Sequence, residues 1–165
     1  DTLVRATAAT MDERVVLLVV GEGPERKRLE ALARAEGARL VLPGARPWEE
    51  MVESYVAADV FALLSEREPW GVVVNEAAAC ALPLVLSERV GAAADLLRDG
   101  ENGFLVRAGD VEGAAAALRR LAADPTLRRR QGERSRAIVA GWGYGPSVEG
   151  FLAAVRGAVA DVARR

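Results

Sequence analysis

The sequence predicts an α/β fold: a doubly wound parallel sheet flanked by helices, with a helical carboxyl-terminal tail. Three observations predict it. Short β-branched runs alternate with longer stretches of helical periodicity. The runs are continuously apolar, not alternating, which suits strands covered on both faces. Pro24 and Pro47 stand where helical stretches open, at the position where a missing N–H costs nothing. Together they describe a Rossmann-like sheet, and all 165 residues read as one domain.

The elements follow in order. "DTLVRATAAT" reads as a helix already under way, with Leu3, Val4 and Ala8 facing inward. An α/β unit opens on a strand, so the first strand of the sheet is expected upstream of Asp1. Val15–Val20 is the next strand, and its "VVLLVV" is far too short to span a bilayer. Helix Pro24–Glu36, strand Arg39–Leu42, helix Pro47–Ala57 and strand Asp59–Leu64 follow. Then come helix Gly71–Ala81, strand Leu84–Leu86, a short helix over Ala92–Leu97 and strand Phe104–Val106. The tail reads as helices over Asp110–Ala123, Pro125–Ala140 and Pro146–Ala163. The last places Val148, Phe151, Leu152, Val155 and Val159 on one stripe, which predicts that it packs against something. "GWGYGP" separates the last two helices, and Trp142 and Tyr144 are expected to pin that turn to the sheet.

Composition narrows the function. At 51% hydrophobic and 28% charged the chain reads as a soluble globular protein, and a net charge of −2 argues against a nucleic-acid partner. A single cysteine, Cys80, excludes an internal disulfide and suits a reducing, cytoplasmic compartment; on its apolar stripe it reads as a small core residue. Histidine is absent, which removes Ser-His triads and most zinc sites.

"SEREPWGVVVNEAAACALPLVLSE", Ser65 to Glu88, holds two carboxylates in a stretch otherwise built for burial. A buried charge needs a partner. Pro69 and Gly71 keep a helix from running through Glu68, which therefore sits on a loop after the strand ending near Leu64. The next helix begins near Gly71, with Glu76 on the stripe of Val72 and Cys80, half-buried at a crevice. Its first amides, Gly71 to Val73, have no acceptor within the helix and attract phosphate. The line runs acceptor, donor, acceptor. A nucleotide-sugar presents sugar hydroxyls, a diphosphate and a ribose diol in that order. Spacing alone leaves a second reading open, with Glu68 solvated beside Arg67 and Glu76 paired with an arginine such as Arg89.

Continued to Gly91, the same stretch resembles the signature of the retaining, nucleotide-sugar-dependent glycosyltransferases of GT-B fold called group 1. Their two glutamates are separated by seven residues within S-x-x-E-P-x-G-x-x-x-x-E-A. "VVGEGPERKRLE", "VLPG", "YVAADVFALLS" and "DGENGFLVRAGD" match further segments in order, over essentially the whole chain. The resemblance implies the donor-binding, carboxyl-terminal domain of a two-domain enzyme. Glu68, the group counted as catalytic, would hydrogen-bond the donor sugar's hydroxyls. After Pro69, the amides of Trp70, Gly71, Val72 and Val73 would hold the diphosphate and sugar, and Glu76 would take the ribose hydroxyls. Leu42, Pro43 and Gly44 would frame the base, while Gly21 and Gly23 would open the turn that brings backbone to the cleft. No cofactor is implied beyond the nucleotide-diphosphate sugar, the donor substrate. No metal is expected, since no Asp-x-Asp occurs.

Departures from the pattern are few. Ala81 replaces a frequent glycine and Leu84 a frequent valine, both read as modest packing changes. "VGAAADLL" replaces a commoner Gly-Gly-x-Pro-Glu turn. The Arg and Lys that such enzymes set on the diphosphate, and the acceptor-binding domain, are expected upstream of Asp1. The chain alone is expected to bind nucleotide weakly and to transfer nothing.

Rival readings are a dinucleotide-binding oxidoreductase, an epimerase-like domain and a non-catalytic binding or interaction module of the same fold. The first fails because Arg26 occupies the third glycine position of "GEGPER" and no acid ends the next strand. The glutamate spacing favours a transferase over an epimerase. "RRLAADPTLRRRQGERSR", Arg119 to Arg136, reads as a solvated face; the sharper alternative is weak peripheral contact with anionic lipid at the inner membrane surface.

Overall fold

A computed structural model describes residues 1 to 163. Helix α1 (Thr2–Ala9) opens the chain, and helix α2 (Arg26–Glu36) connects strand β1 (Leu17–Val20) to strand β2 (Leu40–Gly44). Helix α3 (Trp48–Val56) leads into β3 (Phe61–Leu63), and α4 (Val72–Ala79) into β4 (Leu84–Ser87). A short α5 (Ala93–Leu96) precedes β5 (Gly103–Val106). Helices α6 (Val111–Ala123), α7 (Pro125–Val139) and α8 (Tyr144–Ala163) form the tail.

Strand pairing is parallel throughout, as helical crossovers require. Leu17 of β1 lies opposite Leu40 of β2; Leu84 of β4 lies opposite both Phe61 of β3 and Gly103 of β5. In the doubly wound order 3-2-1-4-5-6, β2-β1 match 3-2 and β3-β4-β5 match 4-5-6. Among the described residues no strand pairs β1 with β3, so each keeps one backbone edge without a ladder partner.

Strand β4 organises the core. All four of its residues are buried, as a strand with helices on both faces must be. Alternation divides its side chains between two layers. Leu84 and Leu86 join Val74 and Ala77 of α4 and Leu96 of α5. Val85 joins Ala6 of α1 with Ala114 and Leu121 of α6. The β1–β2 pair departs from the expectation of cover on both faces, because Leu18 and Val41, opposite each other in register, are both exposed.

Several boundaries shift for local reasons. Pro47 is the residue before α3, not its first, because its ψ of 155° is extended. Pro24 stands ahead of Glu25, the N-cap of α2. In α1 burial falls on Val4, Ala6 and Thr7 instead of Ala8, because the helix lies along α6 and α2. Helix α8 begins at Tyr144, not at Pro146, and its apolar stripe is open: Val148, Phe151, Leu152, Val155 and Val159 are all exposed, Phe151 at 68%. The expected packing of that stripe is not found among the described residues. No helix among them is long and apolar enough to cross a membrane.

Ala81 is a larger departure than a packing change. It follows the C-cap of α4 with φ 58°, a left-handed conformation that favours glycine, which is why glycine recurs at this position in the resembled pattern. Ala81→Gly is therefore expected to stabilise the chain by about 1 kcal/mol. The measurement is thermal unfolding, with a rise in Tm of about 2–4 °C. The Ala81 carbonyl also explains a glycine inside α7: a Cβ at Gly132 would lie 2.0 Å from that oxygen.

Candidate functional site

The loop after β3 is laid along the segment after β4 by backbone bonds. Glu68 N–H donates to the Arg89 carbonyl at 3.1 Å, Gly91 N–H to the Glu68 carbonyl at 2.9 Å, and Ala92 N–H to the Trp70 carbonyl at 2.9 Å. Ser87, fully buried, donates its hydroxyl to the Ser65 carbonyl at 2.6 Å and ties down the start of the loop. Gly91 has no room for a side chain, since a Cβ there would lie 2.0 Å from the Pro69 carbonyl oxygen. Backbone thus fixes the course of Glu68, Pro69 and Trp70.

Gly71 turns this loop into α4. As N-cap it takes φ 91° and ψ 68°, and a Cβ would stand 3.2 Å from both Leu63 Cδ2 and Glu68 Cγ. The Val74 amide closes onto the Gly71 carbonyl at 2.8 Å, whereas the amides of Gly71, Val72 and Val73 have no intramolecular acceptor. Val72 and Val73 are exposed and Glu68 is half-buried, so the amides open onto an accessible shelf. Trp70 roofs one end, its indole N–H donating to Asn75 Oδ1 at 3.0 Å. Its ring meets Trp142 at 5.3 Å and 37°. Trp142 therefore pins the α7–α8 turn to this loop instead of to the sheet. Tyr144, 92% exposed, pins nothing.

Glu76 lies half-buried in the second turn of α4. Its Oε2 accepts the Tyr55 hydroxyl at 2.6 Å. The arginine pairing is not adopted: Arg89 reaches Glu88 instead, at 3.9 Å. Burial first, then the Glu76 carboxylate, pushes the Tyr55 phenol well above its ordinary value, so it remains a donor. Burial likewise raises the Cys80 thiol, with Glu76 adding to it, so Cys80 stays a neutral, part-buried thiol against the core. Sequence reasoning missed Tyr55; it lies on another element, 21 residues away.

The other predicted residues form a separate cluster at the carboxyl ends of β1 and β2. Gly21, with φ 144°, donates its amide to the Gly44 carbonyl at 2.9 Å. Arg26 spans the cluster, donating to the Leu42 carbonyl at 2.7 Å and to Glu22 Oε1 at 3.1 Å. The Leu42 carbonyl is thus already engaged by protein. Pro43 is exposed and Gly44 buried. Gly23 has an ordinary φ and open space around it.

Elsewhere the basic stretch holds the tail together. Arg119 donates to the Ala9 carbonyl at 2.7 Å, Arg128 to the Leu121 carbonyl at 2.7 Å, and Arg134 pairs with Glu101 at 3.1 Å. Arg120 lies over the Phe104 ring at 5.1 Å. A cavity of about 500 Å³ between β5 and α6 is lined by Phe104, Arg107, Asp110 and Arg120, and no predicted site residue lines it. Among the described residues no cluster of three or more Asp, Glu, Cys or His side chains is placed to hold a metal.

Residues 1–138 match the family model described as "Glycosyl transferases group 1". The chain is 38% identical over 143 residues to the lipopolysaccharide core biosynthesis glycosyltransferase LpsE of Rhizobium meliloti (strain 1021), covering 85% of this chain and 40% of that protein. Its fold is similar to sucrose-phosphate synthase from Thermosynechococcus elongatus at TM-score 0.81 and 29% identity, covering 96% of this chain and 42% of that one. It is also similar to Anabaena HepE, solved in complex with UDP and glucose, at TM-score 0.75 and 25% identity, covering 84% and 40%. The chain spans about two fifths of the length of these proteins. With the family model matched over most of its length, a doubly wound parallel fold, and both glutamates flanking the open start of α4, this chain belongs to the group 1 glycosyltransferases and corresponds to the carboxyl-terminal half of their GT-B fold.

Proposed function

We propose that the chain binds the nucleotide-diphosphate sugar donor of a retaining glycosyltransferase, and that transfer requires an acceptor-binding domain beyond this chain. One observation carries the reading: three amides without acceptors, at Gly71, Val72 and Val73, open between Glu68 and Glu76 on adjoining elements. Glu68 takes the sugar hydroxyls, the amides of Trp70, Gly71, Val72 and Val73 receive the diphosphate and sugar, and Glu76 takes the ribose diol. The turn at Leu42–Gly44 frames the base, and the turn at Gly21 and Gly23 lets backbone approach the cleft. The complex of HepE with UDP and glucose supports this choice of ligand class.

In the proposed reaction the bond from the sugar's anomeric carbon to the diphosphate breaks. The bond to the acceptor oxygen forms on the same face, and the acceptor's proton passes to the departing phosphate. What this chain contributes is orientation and stabilisation of the negative charge developing on that phosphate. Transfer of sugar by the chain alone, with a mass-verified product, would overturn the division of labour.

Titration with UDP, GDP and ADP, followed by amide NMR, tests donor binding. At least one nucleotide is expected to shift the amides of residues 71 to 73. A non-catalytic interaction module would leave those signals unmoved by all three, and that outcome would sink the reading.

A further inference from the structure

We infer that Tyr55 is the positioning residue for ribose recognition: it holds Glu76 Oε2 in place and leaves the remaining lone pairs of the carboxylate for a vicinal diol. This rests on the donor-site reading above and deepens it. Tyr55 is only 9% exposed, and its hydroxyl donates to Glu76 Oε2 at 2.6 Å, a short charge-assisted bond. Its ring packs at 6.3 Å and 50° against Phe61, the first residue of β3, and within the cluster that contains Val74, Ala77 and Leu84. The phenol is thus anchored between α3, β3 and α4, and has one polar neighbour to serve.

The chemistry of the pair explains why a phenol stands there. A carboxylate offers about four acceptor sites, and one hydroxyl occupies one of them. Glu76 Oε1 accepts no hydrogen bond from the described residues, and no cation among them pairs with the carboxylate. An arginine in place of Tyr55 would neutralise Glu76 and take two sites in a bidentate grip. A tyrosine fixes the orientation of the carboxylate, brings no counter-charge and leaves Oε1 free. Burial keeps the phenol protonated, so the donor persists across the working pH range. A site built in this way discriminates against ligands lacking a hydroxyl, since a half-buried charge is then left unpaired.

The test compares the nucleoside diphosphate that binds tightest among UDP, GDP and ADP with its 2′-deoxy and 3′-deoxy forms, by calorimetry on the full chain. The wild-type chain is expected to bind the ribonucleotide about tenfold more tightly than either deoxy form. Tyr55→Phe is expected to weaken the ribonucleotide by about the same factor, leave the deoxy forms nearly unchanged and bring the ratio close to one. Glu76→Gln should give the same collapse, and the double variant should add little, because both changes remove one interaction. An unaltered amide spectrum away from residues 55 and 76 checks the fold of each variant. If the wild type discriminates and Tyr55→Phe discriminates equally, the role of Tyr55 is overturned while the donor site stands. If no nucleotide binds the wild type, the donor-site reading falls and this inference with it.

Discussion

Gly91→Ala is expected to abolish nucleotide binding and to lower Tm by about 2–12 °C. The first methyl carbon would arrive 2.0 Å from the Pro69 carbonyl oxygen and 3.2 Å from the Trp70 Cα, both rigid backbone. Such overpacking costs about 1–3 kcal/mol, and here the loop can yield only by giving up the bonds that lay it along Arg89 to Ala92. Glu68 and Trp70 would move with it, and the amides at the start of α4 would lose their place relative to both carboxylates. Gly103→Ala provides the comparison. Its Cβ would lie 1.9 Å from the Leu84 carbonyl, a clash as severe but inside the β4–β5 ladder. Both variants should melt early, while a variant chain that stays folded at low temperature should lose nucleotide only when the change is at Gly91. Retention of wild-type affinity by Gly91→Ala would show that the course of Pro69 does not matter to the ligand.

Asn102→Ala is expected to destabilise the chain by about 2–3 kcal/mol, a large share of the stability of a domain this size. Asn102 is fully buried. Its Oδ1 accepts the Arg98 amide at 2.7 Å, and its Nδ2 donates to the Leu96 carbonyl at 2.9 Å and to Ser135 Oγ at 3.2 Å. Ser135 in turn donates to the Asn102 carbonyl at 3.2 Å, which binds α7 to the turn before β5. Alanine would leave the buried Leu96 carbonyl and the Arg98 amide without this partner, remove one of the two bonds made by the Ser135 hydroxyl, and open a void between α5 and α7. Each orphaned group costs about 1–3 kcal/mol, less than additively when they share one site. Urea unfolding measures it: the midpoint should fall at constant slope. A loss below about 1 kcal/mol would mean that solvent replaces the amide, contrary to its complete burial.

What the sequence made legible is what local rules control. The run Leu84–Leu86 announces a strand buried on both faces, and β4 is one. Pro69 and Gly71 put the two glutamates on a loop and a helix, where the fold has them. Less legible are pairings made by tertiary approach. The Tyr55 bond to Glu76 joins α3 to α4, and the Trp142 contact with Trp70 joins the tail to the donor loop. Neither has a periodicity or a spacing that would reveal it. Arg26 was visible as an oddity in a glycine-rich turn, yet its bond to the Leu42 carbonyl depends on how β1 and β2 pair. In the sequence Ala81 reads as a change of volume, whereas its cost lies in φ. The stripe on α8 showed an amphipathic helix and, by itself, nothing about what lies against it.

Division of the sheet into β1–β2 and β3–β4–β5 has a practical consequence for handling the chain. Two separate ladders carry twice as many outer strands as one continuous sheet. Leu17–Val20 and Phe61–Leu63 contain none of the lysines, prolines or inward charges by which such strands ordinarily repel strangers. Each is a template onto which another molecule's strand can add. Such addition is expected to grow with concentration, which light scattering over a dilution series measures.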